Sequence, residues 1–130
     1  KDGINLPEFE LIVTKNLYVV IWHRNHLGVM SAIPVTRSGE NYTYNFSTNE
    51  TQAYGGAEAQ KMLTTGIWGL IAADGNSDGN VNSSDKNYPW MVQAGLSGYY
   101  FGDFNLDNQV NNLDKNDYLL QNTGKVSYIP

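Results

Sequence analysis

The chain has 130 residues, 41% of them hydrophobic, a formal net charge of −5 and no cysteine. That length suits one domain or two very small ones sharing a surface, and the apolar content is too high for a disordered chain. The acidic balance argues against a nucleic-acid surface, and the missing cysteines remove disulfides and thiolate metal sites.

The opening, KDGINLPEF, carries neither an initiator Met nor a signal peptide, as expected of a mature or excised piece of a longer parent protein. From residue 9 to about 47 the pattern is strand-like. FELIVTK is β-rich, and LYVVIWHR is apolar on both faces, as a central strand would be. It is also the most apolar stretch, strand-sized and too short to span a membrane. HLGVMSAIPVTR continues in kind until Pro34 marks an edge or strand end. In YTYNFS, Tyr42, Tyr44 and Phe46 alternate with Thr43, Asn45 and Ser47, which predicts one apolar and one polar face. AEAQKML is the one short helix expected in this half. Residues 1–71 therefore read as a small antiparallel sheet or sandwich.

The second half repeats itself. Shifted by 29 residues, DGNSDGNVNSSDKN falls on DFNLDNQVNNLDKN, so that Asp74, Asn76, Asp78, Val81, Asn82 and Asp85 meet Asp103, Asn105, Asp107, Val110, Asn111 and Asp114. The acids follow the repeat. Six acids and five bases precede residue 71, whereas seven acids and three bases follow it.

Calcium takes six to eight oxygens, and a twelve-residue loop supplies them from alternating positions 1, 3 and 5, a carbonyl at 7, often a water at 9, and a carboxylate at 12. The first loop offers Asp74, Asn76, Asp78, Asn80, Asn82 and Asp85 at those places. The second offers Asp103, Asn105, Asp107, Gln109, Asn111 and Asp114. Gly79 stands at position 6, where the chain must turn sharply, and Asn108 replaces it in the second loop as the next residue to accept a left-handed backbone. Val81 and Val110 at position 8 suit a short β-contact between paired loops. Two Ca²⁺ ions would bring the net charge from −5 to about −1. An acidic Asx-turn loop explains one such match more easily than two in register.

Paired D-x-N-x-D-G-x-V-N-x-x-D loops, each followed by one helix and lacking a helix before it, resemble bacterial dockerin domains over roughly residues 72–126. The resemblance implies a non-catalytic, EF-hand-like calcium module of a secreted, extracellular protein, docking onto a cohesin-like partner. It also implies that Ser83 and Ser84, at loop positions 10 and 11, touch that partner. The second loop carries Asn112 and Leu113 there, a departure from symmetric docking. Pro89 predicts a late first helix, capped by Asn87 or Tyr88 and ending at Gly95, with Asp85 ligating from a loop. The second helix is expected from Asn116 or Asp117 to Gly124. VVIWHRNHLGVMSA with GIWGLIAADGN resembles the small β-module that precedes such repeats at the rear of large secreted bacterial proteins.

Other features weigh less. His23 and His26, three apart on a strand, would face opposite ways and share no metal unless the chain turned between them. No nucleophile elbow, phosphate-cradling glycine motif or zincin motif is present, and Glu8, Glu10, Glu40, Glu50 and Glu58 read as solvated charge, so no enzyme is expected. Trp22 and Trp68 read as core, and GYYF as packing the second loop against the first. The expectation is an α+β chain: a β-rich module in 1–71, then a two-loop, two-helix calcium unit in 72–130. Two alternatives stay open. One is a carbohydrate-binding module gripping a polysaccharide with exposed aromatics, and the other a subunit assembling through a strand edge.

Overall fold

The computed structural model describes residues 13–130, so residues 9–12 of the expected FELIVTK strand, with Glu8 and Glu10, lie outside the described residues. The described residues form a mixed α+β fold of small antiparallel sheets and short helices. Strand β1 (Val20–His23) pairs with β2 (His26–Met30), β3 (Thr36–Ser38) with β4 (Asn41–Thr43), and β5 (Lys61–Thr64) with β6 (Ile67–Gly69). No single sheet or sandwich joins them, contrary to expectation. The strands are three to five residues long, and every residue of β3 and β4 is exposed, so they offer no apolar face to stack.

LYVVIWHR is accordingly no central strand. Val20 to Trp22 are exposed, and among the described residues β1 pairs with β2 alone, with Ile21 opposite Val29 and His23 opposite His26. Trp22 is 66% exposed rather than core. Its ring lies across Gly28, where an added Cβ would come within 2.6 Å of it. Trp68 is half-buried. In YTYNFS the strand ends at Thr43 with Tyr42 and Thr43 both exposed, so the expected alternation fails there and appears only from Tyr44 to Phe46, on either side of exposed Asn45. Tyr44 and Phe46 are half-buried and meet edge to face at 4.8 Å between centroids. AEAQKML forms no α-helix, because the tight turn Gly56–Glu58 hands over to strand β5 at Lys61.

The apolar centre joins the two halves. Leu27 of β2, Ile71, Ala72 and Ala73 pack with Val81, Phe104 and Leu119 from the repeat. Fully burying Phe104 or Leu119 stabilises by roughly 1.5–3 kcal/mol each. Backbone pairing crosses the same boundary, with Ala73 N–H bonded to the Asn25 carbonyl at 2.9 Å and His26 bridged to Ala72, next to the bond from Leu27 N–H to the Ile71 carbonyl (2.8 Å). The division drawn at residue 71 thus runs through a shared core. A second cluster, Val29, Ala53 and Ala59, is covered by Phe46 and Leu70.

Both helices start earlier than expected. The first begins at Ser83, because Asn82 caps it and Asp85 reaches back to the Asn82 N–H. Asp85 therefore sits in a helical first turn, not in a loop. The helix is then interrupted at the place where a start was expected: Tyr88 is extended (φ −154°, ψ 117°), the conformation that a following proline imposes, and Pro89 leads into the turn Met91–Gln93. The second helical stretch begins at residue 112, with Asn111 accepting from Leu113 N–H, continues through Asp114–Leu119 and ends at Leu120–Asn122.

Candidate metal centre

The two loops repeat the same bonds between their acids and the backbone. Asp74 accepts from Asp78 N–H (3.0 Å) and Gly79 N–H (3.1 Å), and Asp103 accepts from Asp107 and Asn108 N–H, each at 3.1 Å. Asp85 Oδ1 takes the Gly75 and Asn76 N–H groups while its Oδ2 takes Asn82 N–H. Asp114 does the same with Phe104, Asn105 and Asn111. Asn76 donates its amide to Asp78 at 2.8 Å, and Asn105 donates to Asp107 at 2.9 Å. All the residues expected at positions 1, 3, 5 and 12 are thus tied into one turn in each loop.

Glycine supplies position 6 of the first loop (Gly79, φ +81°), and Asn108 takes the same left-handed form (φ +73°), as expected. Position 4 is left-handed too, at Ser77 (φ +59°) and Leu106 (φ +64°). Neither residue signals this in the sequence; a left-handed leucine is strained and persists because the surrounding bonds impose it.

Val81 and Val110 do not pair with each other, contrary to the sequence reading. Each pairs instead with the chain leaving the opposite unit's helix. Gly124 N–H bonds to Val81 and Gly95 N–H to Val110, at 2.8 and 2.7 Å. Ser127 N–H bonds likewise to Gly79, and Gly98 N–H to Asn108. Shifting either bond of a pair by 29 residues, with the roles of the units exchanged, produces the other. This is a two-fold exchange that clamps each loop onto the other unit's exit, with both valines buried beneath it.

The donor set is oxygen-only: carboxylates at 1, 5 and 12, an amide at 3 and a backbone carbonyl at 7. That chemistry suits a hard dication. An ionised carboxylate has about four acceptor sites. Asp74 uses two of them on N–H groups. Asp74, Asp85, Asp103 and Asp114 are all buried. Burial pushes the Asp74 carboxyl up to about 6, and it raises Asp85 and Asp114 too, against the N–H bonds that favour their charge. Exposed Asp78 is lowered, chiefly by the Asn76 amide. Buried acids held apart on backbone donors are what a dication would compensate. Among the described residues, no three acidic or imidazole side chains already close on one point. In these loops amide and carbonyl oxygens would have to complete the shell, with Asn80 and Gln109 offering main-chain oxygens and Asn82 and Asn111 standing at the water-linked position.

Ser83 and Ser84 are exposed on the first helical turn beside buried Asp85. Leu113, at the matching place in the second loop, is 53% exposed. Tyr99 is 80% exposed and does not seal one loop on the other; the Arg24 guanidinium lies over it, 3.7 Å from the ring centroid. Trp90 is half-buried, its indole N–H bonded to the Asn111 carbonyl at 2.8 Å.

The two histidines do meet, because the chain turns at Arg24 and Asn25. Their rings stand edge to face with centroids 4.6 Å apart. His26 Nδ1 bonds to Asn25 Oδ1 at 2.9 Å, and burial holds its basicity down to about 4, with His23 and Arg24 adding to the effect. Both line an open cleft of about 460 Å³ with Lys61, Leu70, Asp117 and Tyr118. Compared with protein-family models, curated proteins and solved structures, the chain matches none.

Proposed function

We propose that this chain is a non-catalytic, calcium-stabilised interaction module of a larger secreted protein, with two Ca²⁺ ions held in dockerin-like loops. The observation that carries the reading is the duplicated cage: two twelve-residue loops with the same acids on the same backbone donors, tied by reciprocal bonds. A cation fixed in each would pin the first turn of the helix behind it and so present a rigid face. Exposed Ser83 and Ser84 border that face, with hydroxyls free for a partner's backbone and no role as ligands. A cohesin-like protein is the partner this reading names. The deciding experiment is a binding assay between the chain and immobilised cohesin-like modules, with calcium and with excess chelator. Calcium-dependent binding supports docking; binding that ignores chelator, or no binding, contradicts it.

A second reading has its own observation. Trp22 and Tyr99 lie open on the surface instead of in the core, and an exposed aromatic face packs well on a sugar ring. A polysaccharide would then be the ligand and calcium would only hold the scaffold. Retardation in gels containing polysaccharide, lost in Trp22→Ala or Tyr99→Ala, favours this reading over docking.

A further inference from the structure

The two loops are alike within themselves but not in what touches them. Arg24, at the tip of the β1–β2 hairpin, brings its guanidinium to 3.5 Å from Asp103 Oδ2, with side-chain exposures of 12% and 3%. The Tyr99 ring stacks on the same guanidinium, 3.7 Å from the ring centroid. Arg24 Nε makes no hydrogen bond among the described residues, so the group is buried with donors to spare. The tip is held from both loops. Ser77 Oγ of the first donates to the Arg24 carbonyl at 3.1 Å, and Asn25 Nδ2 donates to the Asp103 carbonyl of the second and to the Phe101 carbonyl just before it. Asp74, which the repeat makes equivalent to Asp103, has no such cation: among the described residues neither ion pair involves the first loop.

Resting on the calcium reading above, we propose that Arg24 is a resident counter-ion of the second loop, making it the weaker calcium site and linking its filling to the β1–β2 hairpin. The physical reason is local. A guanidinium beside Asp103 repels an incoming dication, and a pair this buried is little screened by solvent or salt. Filling the second site requires the guanidinium to give up its contact with Asp103. The first loop fills with no such competition. Because Asn25 follows Arg24 and holds the Asp103 carbonyl, movement of the one strains the other, and the hairpin carrying His23 and His26 registers the filling of the second site.

The test is a calcium titration of the whole chain followed by backbone amide NMR, with Gly79 reporting the first loop and Asn108 the second. In the unaltered protein the Gly79 signal should reach its midpoint at a calcium concentration about tenfold or more below that of Asn108, the scale set by one charge beside a carboxylate. In Arg24→Gln the interval should narrow by about tenfold through tighter binding at Asn108, with the Gly79 midpoint kept within about twofold. Tyr99→Ala, an exposed change that frees the guanidinium towards water, should narrow it as well, and serves if Arg24→Gln does not fold. Coincident midpoints in the unaltered protein, Asn108 filling first, or an interval unchanged in the variants would overturn the role of Arg24 while leaving calcium binding intact. If neither amide responds to calcium, the calcium reading itself falls.

Discussion

Asn25 Nδ2 donates to the backbone carbonyl of Asp103 at 2.6 Å, across 78 positions of sequence. Asn25 is wholly buried, and its amide also reaches Phe101. Through this one side chain the first hairpin holds the first residue of the second loop.

Asn25→Ala should therefore destabilise both halves together. Leaving buried carbonyls unpaired costs about 1–3 kcal/mol, a Tm loss of several degrees. Tryptophan fluorescence and far-ultraviolet circular dichroism should still report one coincident transition, because Leu27 and Phe104 belong to one core. Two separated transitions would show that the halves unfold independently.

What the sequence made legible was chemistry at fixed spacing. The 29-residue repeat displayed the loop acids, and Gly79 and Asn108 announced the turn at position 6. The turn at Ser77 and Leu106 was hidden, because nothing in those side chains favours a left-handed backbone. The helix starts are legible in the capping spacing: Asn82 with Asp85, and Asn111 with Asp114, stand as a cap and its returning acid. Pro89 suggests a late start for the first helix, but it breaks that helix without delaying its start. The β half misled for another reason. Apolar stretches such as LYVVIW predict burial, but among the described residues β1 pairs with β2 alone and Trp22 and Val20 stay exposed, and no local pattern reports how many strands a stretch will pair with.

Leu106→Gly should stabilise the protein by about 0.5–1 kcal/mol, since the left-handed penalty of leucine exceeds the entropy lost by glycine. Gly79→Ala, at the left-handed turn of the other loop, should destabilise it. Chemical denaturation of both variants checks the pair, and equal signs would refute the assignment of strain.

His26 should titrate near 4 and not near 6.5. Its folded value is depressed, so the neutral ring favours the fold. That stability is fully present above 6.5 and is lost as pH falls through about 4. In His26→Gln, the decline of stability between pH 6.5 and 4 should become shallower. An unchanged slope, or a histidine signal moving at ordinary pH, would contradict the buried neutral ring.

Replacing Ser83 and Ser84 together with leucine should leave calcium affinity unchanged and stability within about 0.5 kcal/mol, as exposed sites usually do. Affinity for a cohesin-like partner should fall tenfold or more, the loss expected of an interface hot spot of about 2 kcal/mol. Loss of calcium in this variant would mean that the serines serve the loop and not a partner.

Calorimetric titration of calcium into chelator-stripped protein tests the central claim most directly. The account predicts two Ca²⁺ per chain and a higher Tm for the loaded form, since a ligand at a thousand times its Kd adds about 4 kcal/mol. No binding heat together with an identical Tm in excess chelator would contradict it.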